Sequence, residues 1–205
     1  MSQQEKDNFI YNKKEYKLVS IEFPQKYLNW KTFKLNPVEI STACYRGFIN
    51  TFAIYENNLV LNDIYTNNQT INKNGEMETI NIHKINGVFP EIEEPKENLI
   101  EEYKNYRIII YKNINFKMKY NGSLIIVKNY IQGYESGPYA FLNISPFCYK
   151  DIIKLQFNKG KFVKETNLSD FAKKIRNERK MSKKIKDKSD AYFNWPDLDV
   201  FYENT

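Results

Sequence analysis

A chain of 205 residues suits one sizeable domain, or one domain with an appendage. Hydrophobic residues make up 41% of it and aromatic residues 16%, which is enough for a packed core, and no apolar run approaches the roughly 20 residues that a membrane helix needs. The net charge of +6 is concentrated: the segment 173–188 holds nine Lys or Arg against two acids, a local balance of +7, so the rest of the chain sums to about −1.

The start of the chain, MSQQEKDNFIYNKKEY, lacks the apolar core of a secretory signal, which favours a cytoplasmic protein. Cys44 and Cys148 are too few for a disulfide framework or a zinc site, so we expect two free thiols.

The first elements in the sequence are two short strands, Phe9–Tyr11 and Tyr16–Phe23, around the polar turn Asn12-Lys13-Lys14. The following segment, 25–40, has aromatic residues spaced too irregularly for the period of a helix or of a strand. Pro37 also breaks any helix there. We expect it to form a loop that covers one edge of the core.

The clearest signal is the stretch Cys44–Tyr65, which predicts a hairpin. Alternate residues of its first half are aromatic or β-branched on both faces, as in a strand that is covered on both sides. Glu56, Asn57 and Asn58 interrupt the run, and Asn tolerates the positive φ that a tight hairpin turn requires. The return strand is predicted from Leu59.

Two interpretations of Cys44, Tyr45 and Arg46 are open. The first is a buried thiol, an aromatic edge and a surface cation, according to the usual burial of these residue types. The second makes Arg46 an inward or groove-facing charge that is held by a carboxylate.

Further strands follow the same alternation and turn signals. The predicted elements are one or two strands in Ile80–Phe89 with a turn at Asn86-Gly87, an acidic surface connection at Pro90–Glu102, a buried strand at Arg107–Lys112, a hairpin that turns at Asn121-Gly122 into Leu124–Val127, and a hairpin of Asp151–Phe157 with Lys161–Lys164.

Helical spacing begins only after the last hairpin. Leu168, Phe171, Ala172 and Ile175 fall on one face, and Asn167 or Ser169 can cap the start of the helix. We therefore predict an α+β protein, a mainly antiparallel sheet or partly open barrel of eight to ten strands, with one C-terminal amphipathic, basic helix. Residues 1–166 form the predicted β-rich domain, and 167–205 form the helix and an aromatic, acidic tail packed on the same domain.

No motif for catalysis, a cofactor or a metal is present. The single histidine, His83, has no second ligand at metal spacing and is interpreted as structural. Two carboxylates could act as an acid and base pair, for example Glu56 or Asp63 with Glu135, but sequence does not give their separation. Acids in turns are usually just solvated.

The basic helix has three interpretations. Its cations could neutralise phosphates, with Tyr192, Phe193 and Trp195 stacking on bases, which predicts salt-dependent binding to nucleic acid. The second interpretation is a solvated, lysine-rich surface, because the cations are spread around the helix. They could also pair with the four acids of 189–205, a segment without Lys or Arg.

Five segments, taken in order, resemble a family of small uncharacterised bacterial proteins. They are EYKLVSIEFP, TACYRGFINTFAI with NLVLNDIY behind it, INGVFPEI, YNGSLIIVKNYI and IIKLQFNKGKFV, and they cover most of the chain up to Val163. Members of that family are stand-alone cytoplasmic proteins, some encoded beside toxin genes, so the resemblance implies an immunity or other interaction role. It implies no catalytic residue and nothing about the C-terminal helix and tail.

The function predicted from the sequence is a non-enzymatic, protein-binding role of the immunity type. The alternatives are a nucleic-acid-associated protein that uses the basic helix, and a carboxylate-based enzyme. The residues predicted to make interactions are Tyr45, Arg46, Tyr134, Glu135, Lys173, Lys174, Arg176, Arg179, Lys180, Lys183, Lys184 and Trp195.

Overall fold

The computed structural model describes residues 5–22, 27–67, 69–71, 77–79, 82–93, 108–132, 134 and 145–185, with the backbone alone in 69–71, 77–79 and 179–185. These residues form twelve strands and one α-helix. The elements are β1 (Asn8–Tyr11), β2 (Lys14–Ile21), β3 (Phe48–Tyr55), β4 (Asn58–Asn67), β5 (Gln69–Ile71), β6 (Met77–Thr79), β7 (Glu91–Glu93), β8 (Ile108–Tyr111), β9 (Phe116–Lys117), β10 (Gly122–Tyr130), β11 (Tyr149–Asn158), β12 (Lys161–Asn167) and α1 (Ser169–Ile185).

The predicted fold class is confirmed. The described helix is not long and apolar enough to cross a membrane. Ten strands form one largely antiparallel sheet, and β5 and β6 form a separate pair. The path β12–β11–β10–β2–β1–β3–β4 returns to β12, so the sheet is ring-like without being a true barrel. The pairing of β1 with β3 is parallel.

Three tight turns join the hairpins, and each has positive φ at its two central residues, as mirror-image turns require. They are Asn12 with Lys13, Glu56 with Asn57, and Lys159 with Gly160. The predicted hairpins at the start, in the centre and at the end of the sheet are therefore confirmed.

The ring closes where two of these turns meet, at a place we call the seam (57–59, 118–120 and 160–162). The N–H of Leu59 donates to the carbonyl of Gly160 at 2.7 Å, and the N–H of Gly160 donates to the carbonyl of Tyr120 at 2.8 Å. β12 and β4 pair there through Lys161 and Asn58. The closure of the ring thus depends on a few main-chain contacts.

The inner side of the ring holds the main core. The segment after residue 26 fills it, as its aromatic side chains enter the interior: Tyr27 lies 4.8 Å from the ring of Phe52 and 5.2 Å from that of Tyr120. Phe33 and Leu35 from the same loop are also buried. The sequence predicted a loop that covers one edge of the core; the described part, 27–40, is irregular apart from the short 3-10 helix Trp30–Phe33, and it fills the interior of the ring instead of covering an edge.

A second core lies on the outer side of β10 and β11, under α1. Ile125, Val127 and Ile152 pack there with Leu168, just before the helix, and with Ala172 of the helix. The side-chain oxygen of Asn167 accepts the N–H of Ser169 at 2.9 Å, which satisfies a free donor at the start of the helix. This part of α1 belongs to the body of the fold, while the proposed domain boundary at 166 stays a prediction.

Two sequence predictions are wrong in part. The hairpin predicted across Asn121 and Gly122 does not form, because β9 pairs with β4 and β10 pairs with β11 and β2. In 82–89 the turn at Asn86 and Gly87 is present, but it closes an isolated bridge between Ile85 and Val88 and joins no strands.

Candidate interaction surface

An apolar row crosses the outer face of four neighbouring strands. Ile49 of β3 lies opposite Tyr65 of β4, Tyr65 lies opposite Ile110 of β8, and Ile110 lies opposite Glu91 of β7. Directly opposed residues project to the same side of a sheet, so these four form one continuous line, which we call the outer row.

The outer row faces away from the core because its neighbours along each strand face inward. Ile64 and Ile109, adjacent to Tyr65 and Ile110, are buried in the inner core. Ile49, Tyr65 and Ile110 are each half-buried. A contiguous apolar surface on the solvent side of a sheet is typical of a protein interaction site.

Carboxylates border one end of the outer row. Glu91 accepts a hydrogen bond from Lys112 at 2.6 Å. The pKa of Lys112 is raised, first by this hydrogen bond and then by the charge of Glu91, with smaller contributions from Glu93 and Asp63. Three carboxylates therefore act on one lysine, so this border carries an excess of negative charge.

The same border influences Tyr65. Burial raises the pKa of the Tyr65 hydroxyl, and the negative charge of Glu93 raises it further. Tyr65 therefore stays neutral and keeps its O–H as a hydrogen-bond donor at the edge of an acidic surface.

Strand β7 ends the sheet on this side in the described part of the chain, and its three residues are exposed. Ile92 is 42% exposed, and Phe89, just before the strand, is 62% exposed with the Lys84 ammonium 4.7 Å from its ring centre. Ile92 lies opposite Ile109, which is buried in the inner core, so its side chain projects to the other side of the sheet and does not extend the outer row.

Arg46, just before β3, has its partner just before β1. Its guanidinium makes two hydrogen bonds to the carboxylate of Asp7, at 2.8 and 3.1 Å, and Asp7 also accepts the N–H of Asn50 at 2.7 Å. Of the two interpretations from sequence, the structure agrees with the one in which a carboxylate holds Arg46. Burial raises the pKa of Asp7, and the charge of Arg46 opposes that rise. This pair ties the start of β1 to the entry of β3.

The other residues predicted near these positions lie in different surroundings. Tyr45 is 54% exposed and Cys44 beside it is buried, with a free thiol, as is Cys148. Tyr134 is buried against the outer core, so its ring is not an exposed contact surface. Glu135 and Trp195 lie outside the described residues.

The basic helix differs from its prediction at Arg176. This residue follows Leu168 and Ala172 at intervals of four, so it lies on the packed face of α1 and is only 6% exposed. Its Nη1 donates to the carbonyls of Phe147 and Tyr149 at 2.9 and 2.8 Å. Arg176 therefore fastens the helix to the sheet, and its assignment to an interaction surface is wrong.

The remaining predicted cations of the helix are divided. Lys173 and Lys174 are exposed, and Lys174 lies 4.0 Å from Glu178 one turn later. The other four lie in the part of α1 for which the backbone alone is described: Arg179, Lys180, Lys183 and Lys184.

Replacing Arg176 by leucine should destabilise the fold by roughly 2 kcal/mol, since two buried carbonyls lose a charged donor. Lys173→Leu, on the exposed side of the same helix, should change the free energy of unfolding by less than about 0.5 kcal/mol. Urea denaturation of both variants measures the difference. Equal effects would show that Arg176 contributes no more than a surface cation.

The lone histidine has structural contacts. The Nε2 atom of His83 lies 2.6 Å from the carbonyl oxygen of Phe33, and the hydroxyl of Tyr111 donates to the His83 carbonyl at 2.9 Å. Across the described residues, no group of three or more His, Cys, Asp or Glu could hold a metal ion.

Sequence reasoning missed the outer row. The run Ile108–Ile110 is uniformly apolar, which predicts a strand buried on both faces and conceals that its alternate residues face outward. The acidic residues of β7 were a usable signal in the sequence, because β7 borders the apolar strand β8. The register that aligns them is not local information.

No protein-family model, curated protein or solved structure matches this chain. The family resemblance of the five segments therefore stays a prediction.

Proposed function

We propose that this is a protein-binding protein of the immunity type, which covers a functional surface of a partner protein with the outer row. The observation that carries the proposal is the register that aligns Ile49, Tyr65 and Ile110 and ends the line at Glu91. An apolar centre with a tyrosine and a charged rim is the usual composition of a protein interface.

The acidic border selects a class of partner. Glu91, Glu93 and Asp63 lie around a single lysine, Lys112, so a basic partner surface would be attracted during encounter. Enzymes that act on nucleic acid present such surfaces, which makes a cationic toxin a suitable target. The net charge of +6 does not oppose this, because the surplus lies in the helical segment.

The test is a comparison of tagged proteins in pull-downs from native cells. Ile110→Lys places a cation at the centre of the outer row, and Val163→Lys makes the same change at a side chain that is 63% exposed on β12. We expect one protein, identified by mass spectrometry, to be captured by the wild type and by Val163→Lys, and to be reduced at least tenfold with Ile110→Lys. Its activity should fall when the purified wild-type protein is added.

Three results would contradict the proposal. The captured protein could bind Ile110→Lys as well as the wild type, or keep full activity in the complex. Capture of nucleic acid alone, lost on nuclease treatment and in high salt, would instead support a role for the helix that carries Lys173 and Lys174.

A further inference from the structure

Three polar residues are buried close together at the end of the ring where β1 and β3 begin. Asp7 is 6% exposed, Tyr27 5% and Asn50 0%. Asp7 precedes β1, Asn50 lies in β3, and Tyr27 is the first described residue of the loop that fills the ring. We call these three residues the buried polar site. Polar groups so far from solvent are normally hydrogen-bonded, so each of their atoms needs a partner.

Asn50 and Tyr27 approach Asp7 from different elements. The main-chain N–H of Asn50 donates to Asp7 at 2.7 Å, and the side chain of Asn50 faces inward, because it lies opposite Ile64 of the inner core. The Tyr27 ring lies 4.8 Å from that of Phe52, two residues along β3. Burial raises the pKa of the Tyr27 hydroxyl well above its usual value, and the charge of Asp7 raises it further. Tyr27 therefore keeps its O–H as a donor within range of the carboxylate.

The side chains of Tyr27 and Asn50 have no hydrogen-bond partner among the described residues. This applies to the hydroxyl of Tyr27 and to both polar atoms of the Asn50 amide. Burial raises the pKa of Asp7, and the Asn50 amide is one of the nearby groups that oppose this rise, so the amide lies close to the carboxylate without completing a hydrogen bond. A buried donor or acceptor that stays unpaired is costly, so the two side chains indicate a bound ligand.

Asp7 can accept one more hydrogen bond. Its Oδ1 accepts the N–H of Asn50 and Nη2 of Arg46, whereas its Oδ2 accepts a single bond from the described residues, from Arg46 Nη1 at 3.1 Å. Each carboxylate oxygen has two lone pairs. The Nε atom of Arg46 also has no described partner, but it points away from the site because both Nη atoms face Asp7. The site therefore offers one donor, on Tyr27, and acceptors on Asn50 and Asp7.

This set of groups selects a small neutral ligand. A second cation at the carboxylate would meet the guanidinium of Arg46, which already lies 2.8 Å from Asp7, and an anion would meet the carboxylate itself. A water molecule both accepts and donates, and a buried water typically makes about three hydrogen bonds to groups that otherwise have no partner. One O–H donor and two acceptor oxygens match that number.

We propose that the buried polar site holds one internal water molecule, which accepts a hydrogen bond from Tyr27 and donates to Asn50 and Asp7. The water connects the start of the interior loop to β3 and to the segment before β1. It is therefore part of what holds residues 27–40 inside the ring. This site is separate from the outer row and does not rest on the role proposed for it.

The sign of the stability change in Tyr27→Phe tests the proposal by urea denaturation. Removal of an unpaired buried hydroxyl would stabilise the fold, whereas removal of a water-bound one deletes a hydrogen bond. We expect the equilibrium constant for unfolding to rise about threefold or more. Asn50→Leu should raise it too, and the double variant should show less than the product of the two effects, because the same water is lost only once.

Oxygen-17 relaxation dispersion of the solvent signal counts the water molecules that stay in the protein longer than it takes to tumble. We expect its amplitude to fall by the equivalent of one water in the double variant. Tyr111→Phe is the matched control, since the buried Tyr111 hydroxyl donates directly to the carbonyl of His83 at 2.9 Å. This control should be destabilised with an unchanged dispersion amplitude.

Three outcomes overturn the proposal. The wild-type protein could show no dispersion, the folded double variant could keep the wild-type amplitude, or Tyr27→Phe could be at least as stable as the wild type. The first and third of these do not require that the double variant folds.

Discussion

Replacing Gly160 by alanine should destabilise the protein by about 3 kcal/mol or more. Gly160 has a φ of +79°, and a Cβ there would lie 1.8 Å from the carbonyl oxygen of Met118, which is shorter than any non-bonded contact. The left-handed conformation costs a non-glycine residue roughly 1–2 kcal/mol, and forced displacement of main chain costs about 1–3 more. Because Gly160 belongs to the seam, the displaced backbone is the one that closes the ring.

The matched control is Gly87→Ala. Gly87 has a similar φ of +84°, but an added Cβ there would meet none of the described atoms within 4 Å. We expect the Gly87→Ala variant to be destabilised only by the cost of the left-handed conformation, about 1 kcal/mol. Urea denaturation gives both values, and an unchanged m-value would show that the unfolded states are comparable. A Gly160→Ala variant no less stable than Gly87→Ala would mean that the seam adapts at little cost.

Replacing Arg46 by methionine should cost about 3 kcal/mol at neutral pH. The substitution leaves the carboxylate of Asp7, which is 7% exposed, without its cation, and an uncompensated buried charge is among the most destabilising single changes. Arg46 itself is 33% exposed, so the effect lies at the lower end of the range for fully buried pairs. Lys112→Met, which breaks the exposed pair with Glu91, should cause no resolvable change.

The loss in Arg46→Met should shrink on acidification. Burial already raises the pKa of Asp7 above 3.8, and removal of the opposing Arg46 charge raises it further. A carboxyl whose pKa is higher in the folded state binds more protons there, so folding stability is lost as pH rises and regained as it falls. The variant should therefore recover part of its deficit as the pH falls from 7 toward the raised pKa of Asp7, and Asp7→Asn with Arg46→Met should remove this dependence. A deficit independent of pH would mean that Asp7 does not carry the effect.

Turn chemistry is the part of this fold that local sequence predicts well. Asn57 and Gly160 occupy positions that need positive φ between two extended runs, and both hairpins form. Asn121 and Gly122 present the same signal, yet Gly122 begins β10 without a turn back. The reason is that β10 finds its partners in β11 and β2, and a local pair of residues carries no information about distant strands.

The candidate sites depend still more on long-range register. Tyr65 is one residue of a hairpin in the sequence, and only the pairing of β4 with β8 makes it the centre of an apolar line. Arg176 fits the spacing of Leu168 and Ala172, but its charge favoured a solvent-facing interpretation, and the carbonyls that bind it come from 27 and 29 residues earlier. The type of a side chain predicts the environment that is usual for it, whereas tertiary contacts determine the environment it has in this fold.

The order in which the strands join the ring has a consequence during synthesis. β2 borders β10 in the finished sheet, but Ile21 and its partner Leu124 are 103 positions apart. At about 5–20 residues per second, one edge of the N-terminal hairpin waits roughly 5–20 seconds for its partner to leave the ribosome. Throughout that interval it is an open strand edge, the kind of surface to which a second nascent chain can add. The nascent chain therefore avoids pairing with a second chain only if that edge is shielded until β10 has been synthesised.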